Sequence, residues 1–274
     1  MSGGGSVVVR RQLGSKLRKL RLAAGKDVAD VVTAGLGSKA KISRIETGKG
    51  PVKIADVRAL CWLYGADTTT TEALAALAPG TQQEGWWQDF GQAVVPDWFG
   101  LYAGLEATAS QSRCFEPEFV HGLLQTPDYA TAVIAADDQL SVDVVQRRVR
   151  FRLERQQTIL SSEPKPSVTI VLGEAALSLV VGSPEIMAAQ IEHLHDSDRH
   201  PNVNVRVLPF SAGAYPRRGS FALLDFDDDE DPSVAYVEGP GGARYYDRPD
   251  ERAEYEHVWN ILFDRSTPIE EWTR

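Results

Sequence analysis

The sequence predicts an all-α helix-turn-helix N-terminal domain over residues 1–78. An α+β (mixed) C-terminal domain with a small sheet follows over residues 79–274. Three observations predict this division. Leu13, Leu17, Leu20 and Ala24 recur at the spacing of one helix face. A Gly35-Leu36-Gly37 turn then leads into the short cationic stretch SKAKISRIETG. Beyond residue 165 the pattern shifts to brief apolar runs, SVTIVLG, VNVRVLPF, SFALLDF and SVAYVE, whose length suits strands.

The elements follow in order. Gly25 ends the first helix, since glycine accepts the left-handed conformation at a C-terminus. Val28, Val31 and Val32 form the apolar face of a short second helix. Ser38 caps a third, because its hydroxyl can accept from a backbone N–H in the next turn. In that helix Ile42 and Ile45 face inward, Lys39, Lys41 and Arg44 lie off the seam, and Ala40 permits close approach. Gly48 stops it, and a fourth helix after Pro51 buries Val57, Leu60, Cys61 and Tyr64, with Trp62 also assigned to packing. Thr68–Thr71 open a fifth over Ala73–Ala78, and Pro79-Gly80 with TQQEG reads as a linker.

Charge sharpens the picture. The chain of 274 residues has a net charge of −9. Residues 1–68 carry 13 lysines and arginines against 5 acidic residues, a net of +8, while the remainder carries 16 against 33, a net of −17. A basic head on an acidic body is expected when the head alone meets a polyanion. Short helices around a glycine turn, the later one basic, suit the DNA major groove, which admits one helix. Lys39, Lys41 and Arg44, with Ala40 and Ser43, are the expected groove contacts; Ser38, Lys49 and Lys53 are the expected phosphate contacts.

In the body, Trp86, Trp87, Phe90, Trp98, Phe99 and Tyr102 read as core aromatics. A long helix near 141–160 is expected to turn Val142, Val145, Val149, Leu153 and Leu160 inward and Arg147, Arg148, Arg150, Arg152 and Arg155 outward. Ser183 and Pro184 open a helix with Met187, Gln190, Ile191 and Leu194 as its stripe, and a last helix runs over 250–264.

No catalytic motif stands out, and no cofactor is expected. HLHDSDRH (193–200) gathers histidines and aspartates, but His193 and His195 point apart on a helix, so no metal is expected. DFDDDEDP (225–232) fails the calcium-loop pattern, with Glu230 at the sixth place and Tyr236 at the twelfth. It reads as an acidic hairpin turn. Two cysteines and the absence of an apolar run of about 18–20 residues point to a cytoplasmic, nucleoid-associated protein without a membrane span.

LRKLRLAAG followed by SKAKISRIETG resembles the XRE-type (Cro/repressor-like) helix-turn-helix over about residues 11–66. The resemblance implies a structural ion pair between Arg21 and Glu46, and a recognition helix on which this chain has Lys39 where the family often has Gln. WFGLYAGLEATAS, FEPEFVHGLLQTPDYA, RFRLERQQTIL, NVNVRVLPFSAGAY and YVEG resemble the C-terminal domain of actinobacterial antitoxin-like regulators, with His121 at the family's usual proline. That resemblance implies a transcription regulator, not an enzyme, whose C-terminal domain binds a small protein encoded by an adjacent gene. A homodimer on an inverted-repeat operator follows from the few bases one module reads. The alternative is a C-terminal domain that senses a small ligand in an aromatic-lined pocket. Trp98, Tyr102, Gln125, Tyr129, Arg152 and Arg155 are the candidate partner or ligand contacts.

Overall fold

The computed structural model describes residues 5–82, 89–92, 94–162, 165–216, 219–227, 233–239 and 242–273. Trp86, Trp87, most of the TQQEG stretch and residues 228–232 of the acidic stretch lie outside these. The chain gathers into two compact units. One is chiefly Met1–Asp89 with Gly100–Thr108; the other is chiefly Phe90–Phe99, Ala109–Asp227 and Pro232–Arg274.

The first unit is helical. Its elements are α1 (Gly5–Ala23), α2 (Val28–Thr33), α3 (Lys39–Glu46), α4 (Ile54–Tyr64) and α5 (Thr68–Leu77). Leu13, Leu17, Val31, Ile42, Ile45, Val57, Leu60 and Cys61 make one buried core. Asp27 caps α2 and Asp30 reaches back to the Asp27 N–H, a reciprocal pair that satisfies two otherwise orphaned donors. Gly14 lets α1 touch α3 backbone to backbone, since a Cβ there would stand 2.3 Å from the Ile45 carbonyl oxygen. Residues 78–82 form a 3-10 turn whose Thr81 is buried. Arg10 Nε donates to the Thr81 carbonyl at 2.6 Å, tying that turn to α1.

Two expectations are corrected here. The fifth helix starts at Thr68, not Ala73, because Asp67 supplies the cap by accepting from the Thr70 N–H. Trp62 is 80% exposed, whereas Cys61 and Tyr64 on the same helix are buried.

α6 (Asp97–Glu106) carries the chain onward. The second unit holds a seven-stranded sheet in the order β6-β5-β4-β1-β2-β3-β7. Its strands are β1 (Gln111–Glu116), β2 (Ser167–Gly173), β3 (Val203–Leu208), β4 (Phe221–Asp225), β5 (Val234–Gly239), β6 (Gly242–Tyr246) and β7 (Thr267–Pro268). β1, β2 and β3 are parallel; the other pairings are antiparallel. After β1 the chain runs through α7 (Pro127–Ala135) and α8 (Val142–Leu160) to β2. α9 (Glu174–Ser178) and α10 (Pro184–Asp198) then lead to β3, and β4 returns to the opposite side of β1. The winding thus reverses direction between β1 and β4.

One face of the sheet, with Phe115, Val171, Phe221, Leu223 and Ala235, packs with Tyr255, Val258, Trp259 and Leu262 of α11 (Pro249–Arg265). Alternation along the strands puts Cys114, Glu116, Ile170, Ala222 and Tyr236 on the other face. β1 escaped the sequence reading because QSRCFE carries charge. Arg113 pairs within the fold, through Nη2, with Asp225 at 2.8 Å and Glu256 at 2.7 Å.

The helix at 142–160 forms, but its inward face differs from the one expected. Val142 is 73% exposed, and the buried positions are Val145, Phe151, Arg155 and Ile159. Arg152 lies one turn from Arg155 on the same half-buried side. The valine and leucine spacing suited several stripes. The one chosen by packing is the one whose arginines find polar partners beneath them.

Candidate functional site

The third helix is built to hold still while showing one side. Ser38 accepts from the Lys41 N–H at 3.2 Å, and Gly37 sits at φ 151°, a conformation costly for a side chain bearing Cβ. Ile42 and Ile45 anchor the inner side. Glu46 is pinned by a two-pronged bond: Arg21 donates from Nε to Oε1 at 2.6 Å and from Nη2 to Oε2 at 2.8 Å. Both side chains are buried, and Arg21 Nη1 also donates to the Lys26 carbonyl. The hydrogen bond to Glu46 raises the Arg21 guanidinium above its ordinary range.

What remains outward is Ser38, Lys39, Ala40, Ser43 and Arg44, all exposed. The Arg44 guanidinium stands over Gly50, where a Cβ would approach Nη2 to 3.0 Å. Lys49 and Lys53 are exposed beside it in the loop that leads to α4. Lys41 behaves differently from its neighbours. Its Nζ is 2.8 Å from Asp56 Oδ1, and the side chain is 42% exposed. Asp56 is a partner the sequence reading passed over, although it falls in the first turn of α4.

A second constellation lies in the sheet unit, at the C-terminal end of β1. The loop after β1 carries His121 and a 3-10 turn over Gly122–Leu124. Side chains from α8 clasp it: Gln156 Nε2 donates to the carbonyls of Gly122 at 2.8 Å and Gln125 at 2.9 Å. Arg152 Nη1 donates to Gln125 Oε1, whose own Nε2 donates to the Val120 carbonyl at 2.6 Å. Tyr129 is fully buried, and its hydroxyl accepts from the Val120 N–H at 3.2 Å. A Cβ on Gly122 would meet Arg155 Nη1 at 3.0 Å and Arg152 Nε at 3.7 Å, so both guanidiniums lie against this backbone. Arg155 also stands 5.3 Å from the Phe99 ring centre.

The electrostatics of this cluster are tense. Burial, with Arg155 alongside, pushes the Arg152 guanidinium down to about 10. Burial pushes the Glu116 carboxyl up to about 7, and a bond to Ser220 and the two arginines only partly oppose it. Burial holds the His121 imidazole well below its ordinary value, again helped by Arg155 and Arg152. His121 is therefore neutral. Its Nδ1 accepts from the Leu123 N–H, which places the proton on Nε2.

Comparison with known families assigns both units. Residues 12–74 match a helix-turn-helix domain, and residues 99–271 match DUF5753, a domain of unknown function. The chain belongs to the DUF5753 family. No curated protein and no solved structure matches it. The helix-turn-helix domain makes the chain a DNA-binding regulator in outline.

Within the DUF5753 match, four of the six candidate contacts come together: Gln125, Tyr129, Arg152 and Arg155 share the clasp around the β1 loop. Trp98 lies at another edge of the same unit, where its carbonyl accepts from the Tyr245 hydroxyl. Tyr102 belongs to the first unit and donates to Glu106 Oε1 at 2.8 Å. His121 and Glu116 were missed as members. The signal available was Gly122-Leu-Leu-Gln125 in the loop that follows a strand, but that strand itself was not recognised.

The HLHDSDRH stretch is spent on structure. Asp198 Oδ1 accepts from the Val205 N–H at 2.6 Å, and Asp196 pairs with Arg199 at 2.7 Å. Among the described residues, no group of three or more His, Cys, Asp or Glu side chains is placed to hold a metal ion. Among them also, no helix is long and apolar enough to cross a membrane.

Proposed function

We propose that this chain is a sequence-specific, XRE-type transcription regulator that acts as a homodimer on an inverted-repeat operator. One observation carries the reading. Five consecutive-face residues of α3 and its cap are exposed, while Ile42, Ile45 and Glu46 of the same helix are buried and bonded. A helix fixed on one side, cationic and small-featured on the other, can enter the major groove without rearranging. Lys39 and Arg44 meet base edges, Ala40 and Ser43 allow close approach, and Ser38, Lys49 and Lys53 hold phosphates. Lys41 plays a lesser part, because Asp56 already engages its ammonium. Two half-sites about one helical turn apart supply the bases that a single module cannot read.

The DUF5753 domain receives the signal. Its first reading, from the resemblance to antitoxin-like actinobacterial regulators, is a small protein encoded next door, met by a cytoplasmic, nucleoid-associated regulator. A second reading, a small ligand, is favoured by the Arg152 cluster described above. Selection of bound sequences from random duplexes tests the DNA reading. The expected product is an inverted repeat; recovery of unenriched sequence at low salt would refute it. Co-purification with the neighbouring small protein, followed by gel shifts with and without it, tests the first effector reading.

A further inference from the structure

Trp62 stands 80% exposed on α4, although its ring is the largest apolar surface that helix carries. An exposed aromatic surrounded by further apolar surface marks a place where another molecule packs. The surroundings here are apolar. On α4, Asp56 turns toward α3, where it meets Lys41, and Arg58 turns toward α5, where it meets Glu72. Trp62 lies one turn beyond Arg58, so it rises from the side that α4 shares with α5 and not from the α3 flank. Ile54 and Ala55 are exposed on that outer side of α4. On α5, Glu72, Ala73 and Ala76 share one exposed face, opposite the buried Leu74, Ala75 and Ala78. The two helices pack together, and their outer faces form a platform with one aromatic knob and a flat floor of methyl groups.

Charge says what can cover it. Residues 1–53 carry 12 lysines and arginines against 3 acidic residues, whereas residues 54–78 carry 1 against 3. The platform is therefore the one side of a basic head that lacks cationic excess. Its own two charges neutralise each other, since Arg58 donates to Glu72 from Nε at 3.0 Å and from Nη2 at 2.6 Å. Two such heads repel through their cationic faces and can approach through this one. A surface with both a knob and a flat floor is also complementary to itself. Under a two-fold axis each tryptophan meets the other copy's alanines, and the same patch serves both sides. Tryptophan is the residue type most apt to anchor such a contact.

We infer that two copies of this chain pair through the α4–α5 platform, with Trp62 of each seated on the partner's Ala73 and Ala76. This rests on the homodimer reading and names the surface which that reading leaves open. The contact keeps the exposed residues of each α3 clear, because α3 lies on the other flank of α4. The Arg58–Glu72 pair sits at the rim in solvent and adds little.

The test uses the full chain without DNA, so it does not depend on the operator. Sedimentation velocity over a concentration series gives dimer dissociation constants for the parent, Trp62→Glu, Ala76→Glu and Trp62→Phe. Both acidic variants should weaken dimerisation at least tenfold, and Trp62→Phe should weaken it less. Positions 62 and 76 are exposed, so the variants should keep the parent's circular dichroism. A parent that stays monomeric at every concentration would overturn this inference together with the homodimer reading. A dimeric parent whose acidic variants dimerise as tightly would overturn the platform alone. Loss of binding to the adjacent-gene protein in Trp62→Glu, with self-association intact, would give the surface to that partner and equally overturn the inference.

Discussion

Helices α3 and α8 are written in the same alphabet, aliphatic residues interleaved with arginine or lysine, and the fold uses them in opposite ways. On α3 the isoleucines go in and most cations go out, with Arg21 from another helix brought in to neutralise Glu46. On α8 a valine stays at the surface and an arginine, Arg155, goes into the core side. The lesson is that composition fixes neither face. What decides is whether the surroundings can satisfy the charge: α3 leaves Lys39 and Arg44 exposed and gives Lys41 the Asp56 carboxylate at its rim, whereas α8 offers its arginines the carbonyl-rich loop at 120–126, an aromatic ring and two carboxyls across the sheet.

The comparison can be broken most easily by truncation. Arg155→Ala should cost about 3 kcal/mol in urea unfolding, since it empties a buried position packed against Gly122 and the Phe99 ring, while Arg44→Ala should stay within about 0.5 kcal/mol. Equal costs would erase the distinction. Glu46→Ala should be nearly as damaging as Arg155→Ala, at about 3 kcal/mol, because it strands the buried Arg21 charge. It should also loosen α3 and weaken DNA binding, although the Glu46 side chain is buried against Arg21 rather than on the exposed face.

Effects on binding come next. Arg44→Ala should weaken operator affinity about tenfold, in line with about 1–3 kcal/mol for a side chain reading a base, and Lys41→Ala should weaken it less. Anisotropy titrations at one salt concentration would rank the two. A Lys41 effect larger than the Arg44 effect would mean that the ammonium leaves Asp56 on binding.

The titration of Glu116 gives a gentler test. Its folded value, about 7, lies above its ordinary value of 4.5, so the folded state holds the proton more tightly. Its contribution is complete below about pH 4.5 and is lost as pH rises toward 7. Stability should therefore decline across that interval, and Glu116→Gln should flatten the decline. Smallest of all, Arg58→Ala should leave the melting temperature unchanged, because its bond to Glu72 is fully open to solvent screening.

Much of this architecture was legible beforehand, and the gaps have physical causes. Leu13, Leu17, Ile42 and Ile45 announced the helical core because local periodicity and burial agree there. The strand at 167–173 was visible because it is a nearly continuous apolar run, and that at 203–208 because Val203, Val205 and Val207 alternate with Asn204 and Arg206. β1 and β6 were not, since they carry polar residues whose partners lie far along the chain, such as Arg113 with Asp225 and Glu256. The same blindness hid the Glu116 and His121 cluster. Strand β1, the loop after it and α8 meet only through tertiary packing, and no spacing along the chain reveals that Gly122 lies on Arg152. For Lys41 the helix pattern located the residue but could not foresee Asp56.

The outward face of α3 is the account's central claim, and one titration tests it most directly. Operator affinity of the parent and of the Lys39→Ala/Arg44→Ala double variant is measured by anisotropy across a series of salt concentrations. The account predicts an affinity loss of about a hundredfold in the double variant, with a log–log salt slope shallower if either side chain also neutralises a phosphate. A double variant that binds the operator as tightly as the parent throughout the series would contradict it.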